Sequence, residues 1–155
     1  MKKATILFLA LLFPACVFVF LKYFGKNRFD VPPLFMTELP ADVKGCSDSV
    51  ELPYKVPQFI QEKFSVSSRN FTLVYIQGSE QVEKILAKVK DKFGDKLNYQ
   101  AADSFEDVRC PLLLSQGQDM TIIDREASIR GQYQSGDRDD VDRLMMELSI
   151  LFEDY

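Results

Sequence analysis

Residues 71–101, FTLVYIQGSEQVEKILAKVKDKFGDKLNYQA, contain the pattern that decides the fold. The run at 71–76 is β-branched, aromatic or aliphatic, which is typical of a buried strand. Ser79 can cap a following helix, and Gly94 can end it. Its apolar residues recur at helical spacing: Val82, Ile85, Leu86, Val89 and Phe93. Residues 97–101 predict a second strand, and this order implies a right-handed crossover between two parallel strands.

Two further elements complete the predicted domain. Residues 121–123 and 128–133 flank a turn and predict an antiparallel hairpin. Asp137 can cap a last helix with one apolar stripe: Val141, Leu144, Met145, Leu148, Leu151 and Phe152. This order of elements is that of the thioredoxin core, so the predicted class is α/β, a thioredoxin-like sheet with flanking helices. We expect the two helices to cover opposite faces of the sheet.

The N-terminus predicts a membrane anchor ahead of this domain. Residues 4–21 contain no charged side chain, and about twenty apolar residues cross a bilayer. The length of this run favours a retained transmembrane helix over a cleaved signal peptide. Five prolines follow between residues 29 and 57 and indicate an extended stalk or edge hairpin. The predicted segments are thus an anchor at 1–28, a stalk at 29–57 and a domain at 58–155.

Charge excludes one class of partner. The whole chain has a formal net charge of −4, and its first 28 residues hold five basic residues and no acid, so the remainder carries −9. Binding to nucleic acid requires clustered Lys and Arg that neutralise phosphates. The sequence therefore predicts membrane contact through residues 4–21 and no nucleic-acid partner.

Both ends of the chain resemble one family. TIIDREASIRGQY at 121–133, followed by Gly136-Asp137 and by VDRL at 141–144, resembles the C-terminal end of Sco/SenC proteins, which are membrane-anchored, thioredoxin-like copper chaperones. FGKNRFDVP at 24–32 and YKVPQF at 54–59 are similar to their N-terminal part. The resemblance implies a single-pass protein of the bacterial inner membrane, with its domain in the periplasm and a role near cytochrome oxidase maturation.

The copper ligands of that family are missing. Its members bind copper through Cys-x-x-x-Cys at the junction of the first strand and helix, together with a distant histidine, and soft copper ions require such donors. Here the junction at 75–80 reads YIQGSE, and the chain contains no histidine. We therefore expect no cofactor, metal or catalytic residue, and predict a non-catalytic binding or assembly domain with a protein partner. A purely structural envelope protein is a further alternative.

Cys46 and Cys110 leave an enzymatic alternative open. Their spacing excludes a Cys-x-x-Cys redox motif, and such a pair in an oxidising compartment favours a structural disulfide. A membrane-bound thiol–disulfide oxidoreductase that uses these two thiols is the alternative. Pro111 could be the cis-proline that thioredoxin folds place before a strand, with residues 112–114 as that strand, but an ordinary trans proline at a strand entry is favoured, and without a cysteine at 78 or 79 even the cis form would leave no chemistry. The acidic residues at 137–142 are interpreted as helix caps rather than as a metal site.

Overall fold

The computed structural model describes the chain in six ranges: 12–14, 16–20, 30–43, 46, 50–66 and 69–153. Contacts divide the chain after Asp30, and residues 31–155 form one compact unit. Residues 12–14 and 16–20 are helical and exposed. Most of the predicted anchor at 4–21 lies outside the described residues, and no helix within them is long and apolar enough to cross a membrane.

The described part of the compact unit contains four strands and four α-helices. In chain order they are α1 (Gln58–Lys63), β1 (Phe71–Ile76), α2 (Glu80–Phe93), β2 (Leu97–Ala102), α3 (Phe105–Arg109), β3 (Met120–Ile123), β4 (Ile129–Tyr133) and α4 (Arg138–Glu153). Short 3-10 turns occupy Ala41–Val43 and Gly94–Lys96.

The strands form one mixed sheet in the order β2-β1-β3-β4. β1 and β2 are parallel, with Phe71 opposite Leu97. β3 runs antiparallel to β1, with Thr72 opposite Ile123, and β4 runs antiparallel to β3. The predicted α/β class, the parallel strand–helix–strand unit and the hairpin are therefore confirmed.

Local sequence accounts for the bounds of α2. Its apolar residues fall on one side of the helix and are buried, whereas Glu80 and Lys84 pair in solvent at 2.6 Å. The helix ends at Gly94, whose φ of 52° lies in the left-handed region that glycine adopts without strain.

Both faces of the sheet are covered, but the expectation that the two long helices take opposite faces is wrong. α2 and α4 lie on the same face, where Phe93 meets Phe152 with ring centroids 5.3 Å apart. Lys92 Nζ also donates to Ser149 Oγ at 2.8 Å. One core cluster joins these helices to the sheet. Alternate strand residues contribute Phe71 and Leu73 from β1 and Met120 and Ile122 from β3. The helices contribute Leu86 and Val89 from α2 and Leu144 and Leu148 from α4.

The opposite face is covered by elements too short to show helical periodicity. Ile60 of α1, Val108 of α3 and the turn residues Leu112 and Leu114 pack there against Val74. Amphipathic periodicity needs about three turns to be recognised, and α1 and α3 have six and five residues. Because the sequence pattern predicted neither short helix, this face of the sheet had no predicted cover, and α4 was expected to lie on it.

The proline-rich segment packs against the hairpin. Leu34 N donates to Ile129 O at 2.7 Å, and Val56 N donates to Ala127 O at 2.8 Å. Val31, Val43 and Val56 are buried. Leu34 and Val56 thus lie beside β4 and the β3–β4 turn, within the compact unit.

Candidate functional site

The β1–α2 junction lies at the carboxyl end of the central strand. Gln77 Nε2 donates to Asp103 Oδ1 at 2.9 Å, and Gln77 N donates to Ala102 O at 3.1 Å. Gly78 has φ +102°, and Ser79 Oγ bonds to Gln81 Oε1 rather than to a backbone N–H of the helix. Polar contacts thus stabilise this junction, at the position where Sco/SenC proteins have their two cysteines.

The segment before β3 runs beside this junction. Ile76 N donates to Asp119 O at 2.9 Å, and Asp119 N donates to Tyr133 O at 3.0 Å. The Asp119 carboxylate accepts the N–H of Ser135 at 2.8 Å and also its hydroxyl. Asp119 is therefore fixed between β1 and β4, with both carboxylate oxygens in use.

A cleft of about 420 Å³ opens between these segments and α3. We call it the edge cleft, because it lies at the carboxyl edge of β1. Its lining residues are Ile76, Phe105, Glu106, Arg109, Gln116, Gly117 and Asp119. Crevices outside the carboxyl ends of strands are the usual ligand sites of open α/β sheets.

Arg109 is the unusual residue of the edge cleft. Its Nε is buried and has no hydrogen-bond partner. None of the ion pairs among the described residues includes this guanidinium, whose Cζ lies 6.0 Å from the centre of the Phe105 ring. A buried donor without an acceptor costs about 1–3 kcal/mol, and native proteins contain few of them. The edge cleft is therefore lined by a guanidinium that forms no ion pair with the described residues.

One part of the rim of the edge cleft is the tight turn that contains Gln116 and Gly117. Gly117 has φ +95°, a conformation that glycine adopts without strain. Ser115 N donates to Gln118 Oε1 at 2.8 Å, which fixes the turn from within. Gln116 and Gly117 are exposed, so this rim meets solvent.

Cys46 and Cys110 form a disulfide with their Cα atoms 5.0 Å apart. Both residues are half-buried and line a second cleft of about 460 Å³. Tyr54 Oη donates to Pro111 O at 2.9 Å beside it, and burial raises the pKa of the Tyr54 phenol to about 12. The bridge ties the proline-rich segment to the end of α3. Of the described residues, Cys16 is exposed and unpaired.

The idea of a strand after Pro111 is wrong. The favoured trans form of Pro111 is confirmed, since among the described residues the cis peptide bond precedes Pro53. Residues 112–114 form a turn with buried side chains, and Gln132 Nε2 donates to the carbonyls of Leu112 and Leu113 at 2.7 and 3.0 Å. This apolar run fills the core under α3, which explains a strand-like composition in a turn.

The motif that carries the family resemblance forms the β3–β4 turn. Asp124 Oδ1 accepts the N–H groups of Glu126 and Ser128 at 2.8 and 2.7 Å, and its Oδ2 accepts Arg130 Nε at 2.8 Å. Arg130 Nη1 donates onward to Val31 O at 2.6 Å. The Asp124 and Arg130 side chains are only 4% and 12% exposed. The motif therefore holds the hairpin and the proline-rich segment in place.

A second polar network joins β4 to α4. The buried Tyr133 donates its hydroxyl to Glu147, and burial, followed by this contact, raises the pKa of the phenol. Arg143 lies over the Tyr133 ring at 5.1 Å and donates to Gln132 O at 2.6 Å. Tyr133 folds over Gly131, where a methyl group would overlap its hydroxyl.

The acidic residues at the start of α4 contact that helix and the turn before it. Asp137 Oδ1 accepts the N–H of Asp139 at 2.9 Å, and Asp140 Oδ2 accepts that of Gln134 at 3.0 Å. Asp142 lies 4.0 Å from Arg138 across one turn of the helix. Within the described part of the chain, no three Cys, His, Asp or Glu side chains converge as metal ligands would.

Arg109 and its cleft were missed by sequence reasoning. Nothing in the segment SFEDVRC at 104–110 distinguishes this arginine from a solvated one, because the burial of its Nε and the cleft that it lines depend on the folded chain. Comparisons of the chain with protein families, with curated proteins and with solved structures find no match.

Proposed function

We propose that this chain is a membrane-anchored, thioredoxin-like domain of the Sco/SenC type that binds a protein partner and performs no copper or redox chemistry at its strand–helix junction. The partner belongs to an assembly pathway of the bacterial inner membrane, with cytochrome oxidase maturation as the proposed setting. The anchor is residues 4–21, and the domain faces the periplasm.

The edge cleft is the observation that carries the binding function. It lies at the carboxyl edge of β1, beside the β1–α2 junction, and this position supports the proposal because ligands of open α/β sheets usually bind outside the carboxyl ends of strands. Its walls combine the apolar Ile76 and Phe105 with the cationic Arg109, which forms no ion pair with the described residues. Apolar walls with a few convergent polar groups are typical of binding sites.

The proposed pathway and membrane location rest on the sequence. The charge-free run at 4–21 supports the anchor, and the motif at 121–144 supports the family and its setting. The junction sequence YIQGSE supports a domain without copper ligands, because it offers no thiolate or imidazole.

A thiol–disulfide oxidoreductase is the second candidate. Cys46 and Cys110 are half-buried and line an open cleft, which gives a thiolate access to the bridge. A substrate thiolate would attack one sulfur, release the other as a thiolate and form a mixed disulfide. A second substrate thiolate would then resolve it, leaving the substrate oxidised and the two cysteines reduced.

Capture of partners from native membranes tests the binding function. The full chain, tagged and crosslinked in cells, is compared with Gln116→Trp at the cleft rim and with Cys46→Ser/Cys110→Ser. Gln81→Trp is the matched control, because Gln81 is equally exposed but lies on α2, across the sheet from α3.

The binding function predicts one specific adduct that Gln116→Trp abolishes. Gln81→Trp and the cysteine double variant, expressed in the cold, should retain it. Adducts that disappear with the two thiols and are unaffected by Gln116→Trp would favour the oxidoreductase instead.

A further inference from the structure

We propose that the edge cleft binds the carboxylate of an apolar acid, with Arg109 as the donor to that carboxylate. The ligand class comprises the C-terminal residue of a peptide and a free aromatic or aliphatic acid. This inference rests on the proposed binding function and specifies the chemistry of its site.

Arg109 supplies both the charge and the unsatisfied donor. Guanidinium groups bind carboxylates through paired N–H donors, and hydrogen bonds between charged groups are about twice as strong as neutral ones. The Nε of Arg109 is buried at the cleft without an acceptor. A carboxylate in the cleft can pair with the part of the guanidinium that lines it and neutralise the charge that no described residue neutralises.

The two carboxylates of the cleft do not serve Arg109. Asp119 uses both oxygens on Ser135, and Glu106 is exposed and forms no ion pair with Arg109. Each nevertheless contributes negative charge to the rim. These charges disfavour a dianion such as phosphate more strongly than a carboxylate with a single charge.

The rest of the cleft selects an apolar body. Ile76 and Phe105 line the space beside Arg109, and about 420 Å³ accommodates one large side chain with its carboxylate. Burial of an apolar group against these walls adds affinity and also removes water from the charged contact.

Ligand-observed saturation-transfer NMR on the purified full chain tests the inference. The probes are N-acetyl-phenylalanine, its uncharged amide, phenylacetate and inorganic phosphate. The blocked amino acid represents a peptide C-terminus, and phenylacetate represents a free acid. Arg109→Gln is the test variant, and Arg138→Gln is its control, since the Arg138 side chain is 93% exposed on α4.

The wild-type chain should bind at least one of the two acids about tenfold or more tightly than the amide, with no detectable binding of phosphate. Arg109→Gln should remove that preference, and Arg138→Gln should retain it. Tighter binding of N-acetyl-phenylalanine would assign the site to peptide termini, and tighter binding of phenylacetate to free acids.

Equal binding of the acid and the amide by the wild-type chain would overturn the inference, and this comparison requires no folded variant. An unchanged preference in Arg109→Gln would also overturn it. Partner capture that is sensitive to Gln116→Trp but unaffected by Arg109→Gln would leave the binding function in place and refute the carboxylate chemistry alone.

Discussion

Replacement of Cys46 by serine should destabilise the domain substantially under oxidising conditions. The bridge to Cys110 spans 64 positions of sequence, and all of β1, α2, β2 and α3 lie within the loop it closes. The chain-entropy treatment of a loop this long gives about 4 kcal/mol of stabilisation, through restriction of the unfolded chain. For a chain of this size, about 4 kcal/mol corresponds to a fall of roughly 10 °C in melting temperature.

Calorimetry or circular dichroism on the full chain measures this change with and without a reductant. Cys16→Ser is the matched control, because Cys16 is exposed and unpaired, and it should melt with the parent. Under reducing conditions Cys46→Ser and the parent should also melt together, since the cross-link is absent from both.

A Cys46→Ser variant that melts within about 2 °C of the parent under oxidising conditions would refute the structural role of the bridge. Mixed disulfides trapped in cells on Cys110 would in addition favour the thiol–disulfide oxidoreductase function.

Three other changes test the packing. Gly131→Ala should lower the free energy of unfolding by about 1–3 kcal/mol in urea titrations, because the new methyl group overlaps the Tyr133 hydroxyl; an unchanged midpoint would contradict this contact. Asp124→Asn should cost about 3 kcal/mol, because Arg130 stays buried without its counter-charge, and a loss below 1 kcal/mol would be inconsistent with a buried pair. Burial raises the pKa values of Tyr54, to about 12, and of Tyr133, so stability should fall as the pH rises above 10, where the unfolded phenols ionise first. In Tyr54→Phe and Tyr133→Phe the free energy of unfolding should fall less steeply between pH 9 and 11 than in the parent. The same slope in variant and parent would argue against the raised pKa values.

The sheet could be predicted from sequence because its signals are local. The run at 71–76 and the helical spacing from Val82 to Phe93 each specify an element without reference to the rest of the chain. Glycine at position 94 and the polar turn at 124–127 mark boundaries that the structure reproduces within one residue.

The arrangement around the sheet could not be predicted in the same way. α1 and α3 are too short to show amphipathic periodicity, so the face that they cover looked free for α4. The run at 112–114 has the composition of a strand, but its backbone carbonyls bind Gln132 within a turn. Such contacts join residues about twenty positions apart and leave no pattern in the sequence between them.

The candidate site is the least predictable part for a related reason. The sequence of the β1–α2 junction contains no thiol, and no motif in the sequence points to Arg109. What distinguishes Arg109 is a buried Nε without a partner in the wall of a cleft, and both features arise only in the folded chain. The Asp124–Arg130 pair, in contrast, lies within the quoted motif at 121–133, although its structural role emerged only from the geometry.

Site-specific photo-crosslinking in native membranes tests the central claim, that the edge cleft binds a partner. A photoreactive amino acid replaces Gln116 at the rim of the cleft, and the same substitution at Lys88, exposed on α2, is the control. We predict a discrete adduct from position 116 that Arg109→Gln weakens, with none from position 88. Absence of an adduct at 116, or equal adducts at both positions, would contradict the account.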